Sequence, residues 1–375
     1  MSVAYFDNAA STKVDPRVLE AMLPFFCEVY ANPSALHSFA QSAKAAVEKA
    51  REQVAELVGA NDPSEIIFTG CATEANNTVL GSFGGRLLVS AIEHPSVRVV
   101  ADETGRADFV PVDEQGTVDV DAYAELLKKK PELVSIMSVN NELGSLQDLD
   151  LLGRMAHDAG TKFHSDITQG VGKTRLDLAS RPVDFATFSG HKFHAPKGVG
   201  IIWAKHGEPI HAFMVGGSHE GYRRAGTHNV PLIVGLGEAA RLALEEGAAD
   251  ADRMRRQREY IVTRVLSEVP DVKVNGQPNG APHIISFSFL RTEGEAILIN
   301  LDARGICCTA GSACSSGKHK ASPVLEAIGL PEEWMRGTVR VSLSKFNTDE
   351  ECDKLVGALV QSVSSIRNLS GYASV

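Results

Sequence analysis

Lys192 closes the stretch Asp184-Phe-Ala-Thr-Phe-Ser-Gly-His-Lys192, in which an apolar run of strand type gives way to Ser189, His191 and the lysine. A lysine at a strand end in a cleft loses hydration. Its pKa falls, and its amine becomes able to form a Schiff base with an aldehyde. Taken alone, such a lysine is better read as an exposed side chain after a strand. The flanking hydroxyl and imidazole, both suited to a phosphate, shift the reading toward chemistry. A second stretch, His164-Ser-Asp166-Ile-Thr-Gln169, places Asp166 at another strand end, 26 residues before Lys192. A carboxylate there can keep a pyridinium nitrogen protonated and make the ring an electron sink; it can also simply cap a helix. A third, Phe68-Thr-Gly-Cys-Ala-Thr73-Glu-Ala-Asn-Asn77, runs from strand to small-residue turn to helix, with Ala72 and Thr73 at the helix start. Free amides and the dipole at such a start favour an anion. Together, a phosphate-type turn, a carboxylate and a lysine on one α/β region point to pyridoxal 5'-phosphate.

The remaining candidate lies far downstream, in Ile306-Cys-Cys-Thr-Ala-Gly-Ser-Ala-Cys314-Ser-Ser-Gly-Lys318. Cys307 and Cys308 fall on an apparent strand and read as buried thiols. Cys314 sits among Gly, Ser and Ala, where a thiolate can be presented to a cleft. A metal site built on these three cysteines lacks a paired CxxC spacing and a fourth ligand. The pair His191 and His194 is equally poor for a metal, so no intrinsic metal is expected.

The elements that position these groups follow from periodicity. Apolar runs at Glu65–Thr69, Arg86–Ser90, Leu133–Met137, Thr161–Asp166, Asp184–Phe188 and Val199–Ala204 read as strands. Helical patterns at Ala72–Gly81, Asp121–Lys130 and Leu149–Ala159 alternate with them. Such alternation gives a mostly parallel sheet covered on both faces, with ligands at the carboxyl ends of its strands. One long helix, from Pro231 to about Val269, reads as the connector to a second domain with strands near Val272–Asn275, Ile284–Phe289 and Val339–Ser344. Asp15-Pro16, Ser322-Pro323 and Thr348-Asp-Glu-Glu351 have the form of helix starts. Arg253-Met-Arg-Arg-Gln-Arg258 and Lys128-Lys-Lys130 read as solvated helix faces.

Composition narrows the function class. The 375 residues carry a net charge of −10, with 43% hydrophobic and 22% charged residues. An acidic chain is a poor partner for nucleic acid or an anionic membrane surface. No apolar run approaches the ~20 residues that cross a bilayer. No signal-peptide pattern is visible, and six cysteines without a disulfide-type framework suit a reducing compartment. A cytoplasmic enzyme is expected.

The order of motifs resembles that of cysteine desulfurases of the nitrogen-fixation and iron–sulfur-cluster type, within the class V aminotransferase-like, fold-type I pyridoxal phosphate enzymes. The resemblance runs through Tyr5-Phe-Asp-Asn-Ala-Ala10, Asn32-Pro-Ser34, Ala72-Thr-Glu74, Glu93-His94, Val139-Asn-Asn-Glu-Leu-Gly144 and Ser189-Gly-His-Lys192. It continues through Arg224-Ala-Gly-Thr227 and Gly311-Ser-Ala-Cys314 to Val339-Arg340-Val-Ser342. It implies an α/β fold with a mostly parallel seven-stranded sheet in a large domain, residues 15–250. A smaller α+β domain would comprise residues 1–14 and 251–375 and carry the cysteine loop. It implies Lys192 as the Schiff-base lysine, Asp166 at the pyridine nitrogen, Gln169 at the phenolic oxygen and His94 stacked on the ring, assisting proton transfer. Ala72, Thr73, Ser189 and His191 would hold the phosphate, joined by Thr227 from the neighbouring subunit of a homodimer. Asn141 and Arg340 would orient the carboxylate of L-cysteine, for which arginine is a natural bidentate partner; Asn140 receives no contact. Cys314 would take the sulfur as a persulfide, release alanine, and hand sulfur to an iron–sulfur scaffold or sulfur-relay protein, with which it could also share a cluster as ligand.

Three departures stand out. Cys71 replaces the family's usual glycine in the phosphate turn, Ala195 replaces the Gly before Pro-Lys-Gly, and Gly216-Gly-Ser-His-Glu-Gly-Tyr-Arg223 alters a Gly-rich segment. The rival readings are a selenocysteine lyase or cysteine-sulfinate desulfinase on the same cofactor, and a non-catalytic interaction protein on the same fold. Borohydride reduction and peptide mapping separate the last from the others. A pyridoxyl label is expected on Lys192, and Lys192→Ala should lose both label and turnover; a label on a different lysine overturns the assignment.

Overall fold

Runs such as Ile66-Ile-Phe-Thr69 and Gly200-Ile-Ile-Trp-Ala204 are buried along their whole length, as strands covered on both faces must be. A computed structural model describes residues 3–174, 176–310 and 322–369. Its strands are β1 (Ala4–Tyr5), β2 (Ile66–Thr69), β3 (Leu87–Ser90), β4 (Ala107–Val110), β5 (Leu133–Ser135), β6 (Lys162–Asp166), β7 (Phe185–Ser189), β8 (Gly200–Ala204), β9 (Val272–Asn275), β10 (Ile284–Phe289), β11 (Ile306–Cys307) and β12 (Thr338–Ser342). Seven of them form one sheet in the order β2-β8-β7-β6-β5-β3-β4. From β7 to β4 every pairing is parallel, whereas β8 runs against both β7 and β2. The sheet is therefore mostly parallel, as expected, and the carboxyl ends of all strands but β8 share one edge.

The expected strands are present with ends shifted by a residue or two. β5 stops at Ser135 rather than Met137, although Ile136 N and Ser138 N still donate to His164 and Asp166 carbonyls on β6. β4 has no counterpart in the sequence reading. Its Ala-Asp-Phe-Val run is half-buried at the sheet edge, so it lacks the continuous apolar signal of the central strands. β1, two residues long, is also too short to show periodicity, whereas its partner β11 takes in Cys307 of the apparent strand but not Cys308.

A second core packs on the antiparallel sheet β12-β10-β9. The helix Val230–Glu268 joins the two cores: its Val230, Ile233, Leu236 and Ala240 lie in the first, and its Met254, Ile261 and Val265 in the second. At 39 residues it is about 58 Å long, a span that makes it the connector expected from the pattern. Arg258 corrects the reading of its basic stretch as wholly solvated. It is buried on the face shared with Met254 and Ile261, and donates to the carbonyls of Gln277, Pro278 and Ile284. Helical spacing turns Arg258 inward while Arg255 stays outside, paired with Asp252. The three proposed helix starts are all present: Asp15 and Ser322 accept from the first free amides, and Thr348 and Glu351 form a reciprocal capping box.

Near the sheet's β2 edge, the altered segment folds around a buried ion pair. Glu220, Gly221 and Tyr222 occupy left-handed conformations in succession, a costly arrangement for two non-glycine residues. It is held by Glu220, which accepts from both terminal nitrogens of Arg51 at 2.8 Å, from Phe68 N at 3.0 Å and from His228 at 2.6 Å. Burial alone would raise the Glu220 pKa; the Arg51 and His228 hydrogen bonds and the Arg51 charge win and bring it down to about 2. Its carboxylate therefore stabilises the fold above the ordinary glutamate range, and that contribution disappears as pH falls toward 2. Removing one partner strands a buried charge, so Glu220→Ala should destabilise the protein by about 3–5 kcal/mol in denaturant titration. The paired change Arg51→Met with Glu220→Leu should recover much of that loss.

Candidate active site

The shared strand edge gathers the candidate residues because each follows the end of a parallel strand. Asp166 ends β6, Ser189 ends β7, Ala72 and Thr73 follow β2, His94 follows β3, and Asn141 follows β5. β8 meets this edge with its first residue. Gly200 pairs with both Thr69 and Ser189, and a side chain there would lie 2.5 Å from the Cys71 carbonyl carbon. Glycine lets the phosphate-type turn sit against the sheet.

At that turn Cys71 is extended (φ −173°) and caps the helix Ala72–Gly81, its Sγ accepting from Glu74 N at 3.5 Å. An extended residue needs no glycine, so this departure leaves the helix start intact. Ala195 is likewise harmless: the left-handed residues in its loop are His194 (φ 72°) and Gly198 (φ 88°). Glu74 ties the turn to the Thr227 segment, accepting from Gly70 N at 2.7 Å and from Arg224 at 2.8 Å. Thr227 itself is exposed.

The Lys192 amine donates to the carbonyls of Ala9 and Ala10, at 2.6 and 2.8 Å. Burial first, then the neighbouring Arg340 cation, push it down to about 8, with Asp166 and Asp7 opposing. Gln169 donates to the same Ala9 carbonyl at 2.9 Å. Burial, then Lys192, brings the His191 imidazole down to about 4; its Nδ1 lies 3.3 Å from Ser11 Oγ. Arg340 donates to Asn141 O at 2.8 Å and to Asp7 at 2.9 Å, and its buried Nε has no hydrogen-bond partner among the described residues. Asn140 is spent on its own turn, bonded to Ile92 O and to the amides of Glu142 and Leu143.

Around Asp166 the structure builds a polarised chain that the motifs did not reveal. Ser135 Oγ lies 2.8 Å from His164 Nδ1, and His164 Nε2 lies 3.0 Å from Thr187 Oγ1. Thr187 donates to Asn76 Oδ1, and Asn76 Nδ2 donates to Asp166 Oδ2 at 2.8 Å. Burial holds the His164 imidazole near a pKa of about 4. Since Thr187 spends its proton on Asn76, His164 must donate from Nε2, and every bond points toward the carboxylate. Such chains strengthen cooperatively in a low dielectric. Asn76 also donates to Ser96 Oγ, which reaches His94 Nδ1 at 2.8 Å. Ser96 N donates to that same Nδ1, leaving the ring proton of His94 on Nε2. The His94 ring is open to the cleft, yet the loss of surrounding water still lowers its pKa. Asn76 lies four residues, one helical turn, beyond Ala72, and that spacing was the available signal.

Three further ionisable groups escaped the sequence reading. Lys173 donates to Lys192 O at 2.7 Å, its amine pushed down to about 7 by burial and by Lys192. Glu93 accepts from Met137 N at 2.6 Å and Ser90 Oγ at 2.8 Å, and burial raises its carboxyl to about 8. His283 meets Gln169. Cys307 and Cys308 are half-buried rather than sealed, and only Cys307 belongs to a strand; burial pushes both thiols up. Cys314 lies outside the described residues.

The aminotransferase class-V profile matches residues 4–355. The chain belongs to this family. It is 39% identical to the cysteine desulfurase NifS of Azotobacter vinelandii over all of its own length and 96% of that protein. It is 41% identical to a cysteine desulfurase of Sinorhizobium fredii, covering 98% of each. Among solved structures, a NifS-like protein superposes with a TM-score of 0.90 at 35% identity, over 97% of this chain and all of the other. SspA in complex with cysteine superposes at 0.82 with 31% identity, over 92% of this chain and all of SspA.

Class-V enzymes use pyridoxal phosphate, and the donor set here fits that group. A lysine with a lowered pKa, a buried carboxylate fed by a polarised chain, and a helix start beside Ser189 and His191 supply partners for its aldehyde, ring nitrogen and phosphate. Uptake of pyridoxal phosphate by cofactor-free protein, followed by absorbance, should accelerate with pH through a midpoint near 8 as the Lys192 amine loses its proton. Removing an adjacent cation favours the ammonium form, so Arg340→Gln should move that midpoint upward. A flat profile would refute the assignment.

Proposed function

We propose that this class-V enzyme is a cysteine desulfurase that converts L-cysteine to L-alanine and passes the sulfur through a persulfide on Cys314. The observation that carries the reading is the convergence of Lys192, Asp166 with its hydrogen-bond chain, and Arg340 on one strand edge. The cofactor supplies an electron sink for charge developed at the substrate's Cα. Lys192 anchors it and, near its lowered pKa, exchanges a proton with the substrate. Asp166 holds the ring nitrogen's proton, Gln169 the phenolic oxygen, and Ala72, Thr73, Ser189 and His191 the phosphate. His94 would stack on the ring and, neutral with its proton on Nε2, could pass that proton. Arg340 and Asn141 orient the substrate carboxylate, with Asp7 keeping the guanidinium in place until substrate arrives.

The Cys314 thiolate attacks the substrate sulfur. The new S–S bond forms as the C–S bond breaks, its electron pair returns to the substrate carbon, and protonation there yields alanine. A thiol of an acceptor, an iron–sulfur scaffold or sulfur-relay protein, then takes the terminal sulfur. SspA, a structural neighbour, is known in complex with cysteine. Exposed Thr227 adjoins a groove lined by Asn32, Ser34, Leu36, His219 and His228, which supports a homodimer in which Thr227 reaches the partner's phosphate. The helix Val230–Glu268 then joins a large domain of residues 15–250 to a small one of residues 1–14 and 251–375. No helix among the described residues is long and apolar enough to cross a membrane, and we place the enzyme in the cytoplasm.

Mass spectrometry of alkylated peptides after one turnover with cysteine should find the added sulfur on Cys314. Cys307 and Cys308, whose thiols burial keeps protonated, should carry none, and their serine variants should retain substantial activity. Cys314→Ser should still change the cofactor's absorbance with cysteine yet release no sulfide. Sulfur on Cys307 or Cys308, with Cys314 unmodified, would overturn the mechanism.

A further inference from the structure

His283 sits just before β10, in the second core, yet its side chain reaches the first. Its backbone is pinned by Leu343 N, which donates to His283 O at 2.8 Å. Buried Arg258 ties the carbonyls on either side, those of Gln277, Pro278 and Ile284. The imidazole is 1% exposed. Its Nε2 lies 3.2 Å from Gln169 Oε1, and its Nδ1 has no partner among the described residues.

The protons in this cluster follow from one fixed point. The Ala9 carbonyl can only accept, so the group of Gln169 that meets it at 2.9 Å is the NH2. The amide oxygen of Gln169 then faces His283, and His283 must donate from Nε2. Nδ1 is left as a bare lone pair, the state expected of a neutral ring. Burial, then the cations Lys173, Arg340 and Lys192, hold the imidazole neutral. Gln169 therefore has one permitted orientation, oxygen toward His283 and NH2 toward the Lys192 amine, which shares the same carbonyl.

We propose that His283 is a positioning residue, completing with the Ala9 carbonyl a two-point hold on the Gln169 amide so that its NH2, rather than its oxygen, meets the phenolic oxygen beside the carbon that Lys192 holds. This rests on the pyridoxal phosphate reading above. A donor there favours the phenolate over the protonated form, whereas a flipped amide would set two acceptors against each other. The lock comes from the second core, so the two cores must be docked for the donor to be set.

The test is a pH titration of the visible absorbance of the cofactor-loaded enzyme. His283→Leu removes the lock without changing local charge, since both side chains are neutral. It should raise the midpoint of the transition by about one pH unit, because a phenolate that loses an oriented donor holds its proton more tightly. His283→Gln, which offers an amide NH2 near the position of Nε2, should keep the midpoint close to that of the wild type. In a Gln169→Leu background, His283→Leu should add nothing further, as required if it acts only through Gln169. An unchanged midpoint in loaded His283→Leu overturns the proposal. Equal shifts in the Leu and Gln variants, or full additivity with Gln169→Leu, also overturn it by showing general disturbance of the site. Wild-type protein that takes up no cofactor would instead overturn the reading of the site, and this inference with it.

Discussion

The amine of Lys192 hangs between two carbonyls of the N-terminal segment, and much of the molecule serves to keep them there. The segment starts in the second core, where Ala4 and Phe6 are buried and β1 pairs with β11. It bridges to Ser342 at Asp7, presents the Ala9 and Ala10 carbonyls to Lys192, and leaves along His191 and His194 through Thr12 and Asp15. A lysine fixed in this way loses water and stands beside Arg340, and both effects favour the neutral amine. The lowered pKa of Lys192 thus depends on a strip of chain from the far end of the sequence and on the packing of a separate sheet.

The sheet makes the complementary contribution. Parallel strands put their carboxyl ends on one edge, so groups from β2, β3, β5, β6 and β7 converge without long loops. The antiparallel β8 fits because Gly200 lets its first residue pass against the Cys71 turn. Behind the edge, buried polar residues join strand to strand as Ser135, His164, Thr187, Asn76 and Asp166. Buried polar groups are costly when unpaired and strengthening when linked in one direction. This chain spends its hydrogen bonds on the Asp166 carboxylate at the end of β6.

The altered Gly216–Arg223 segment shows how a local departure is absorbed. Left-handed Glu220 and Tyr222 would be unfavourable in isolation, but Glu220 is enclosed by Arg51, Phe68 N and His228. The following Arg224 fastens to Glu74 at the phosphate-type turn. The segment that carries Thr227 is therefore fixed from both sides, by a buried ion pair and by a second pair at the helix start.

The sequence by itself determined the α/β character, the mostly parallel sheet, the long helix and the placing of Lys192, Asp166 and the Ala72 helix start at strand ends. Each is written locally, in apolar runs, helical period, caps and strand-end polar residues. It did not disclose β4, whose edge position leaves a half-buried pattern, nor the inward turn of Arg258, whose charge argues for solvent until its helical face is placed. Nor did it disclose Asn76, His164, Lys173 or His283 as parts of the site, because their partners lie far away in the chain. Gln169 and His283 are 114 residues apart, and Asn76 and Asp166 are 90. Those pairings, and the proton positions they impose, exist only once two cores are packed and water is excluded, which is why tertiary structure alone decided them.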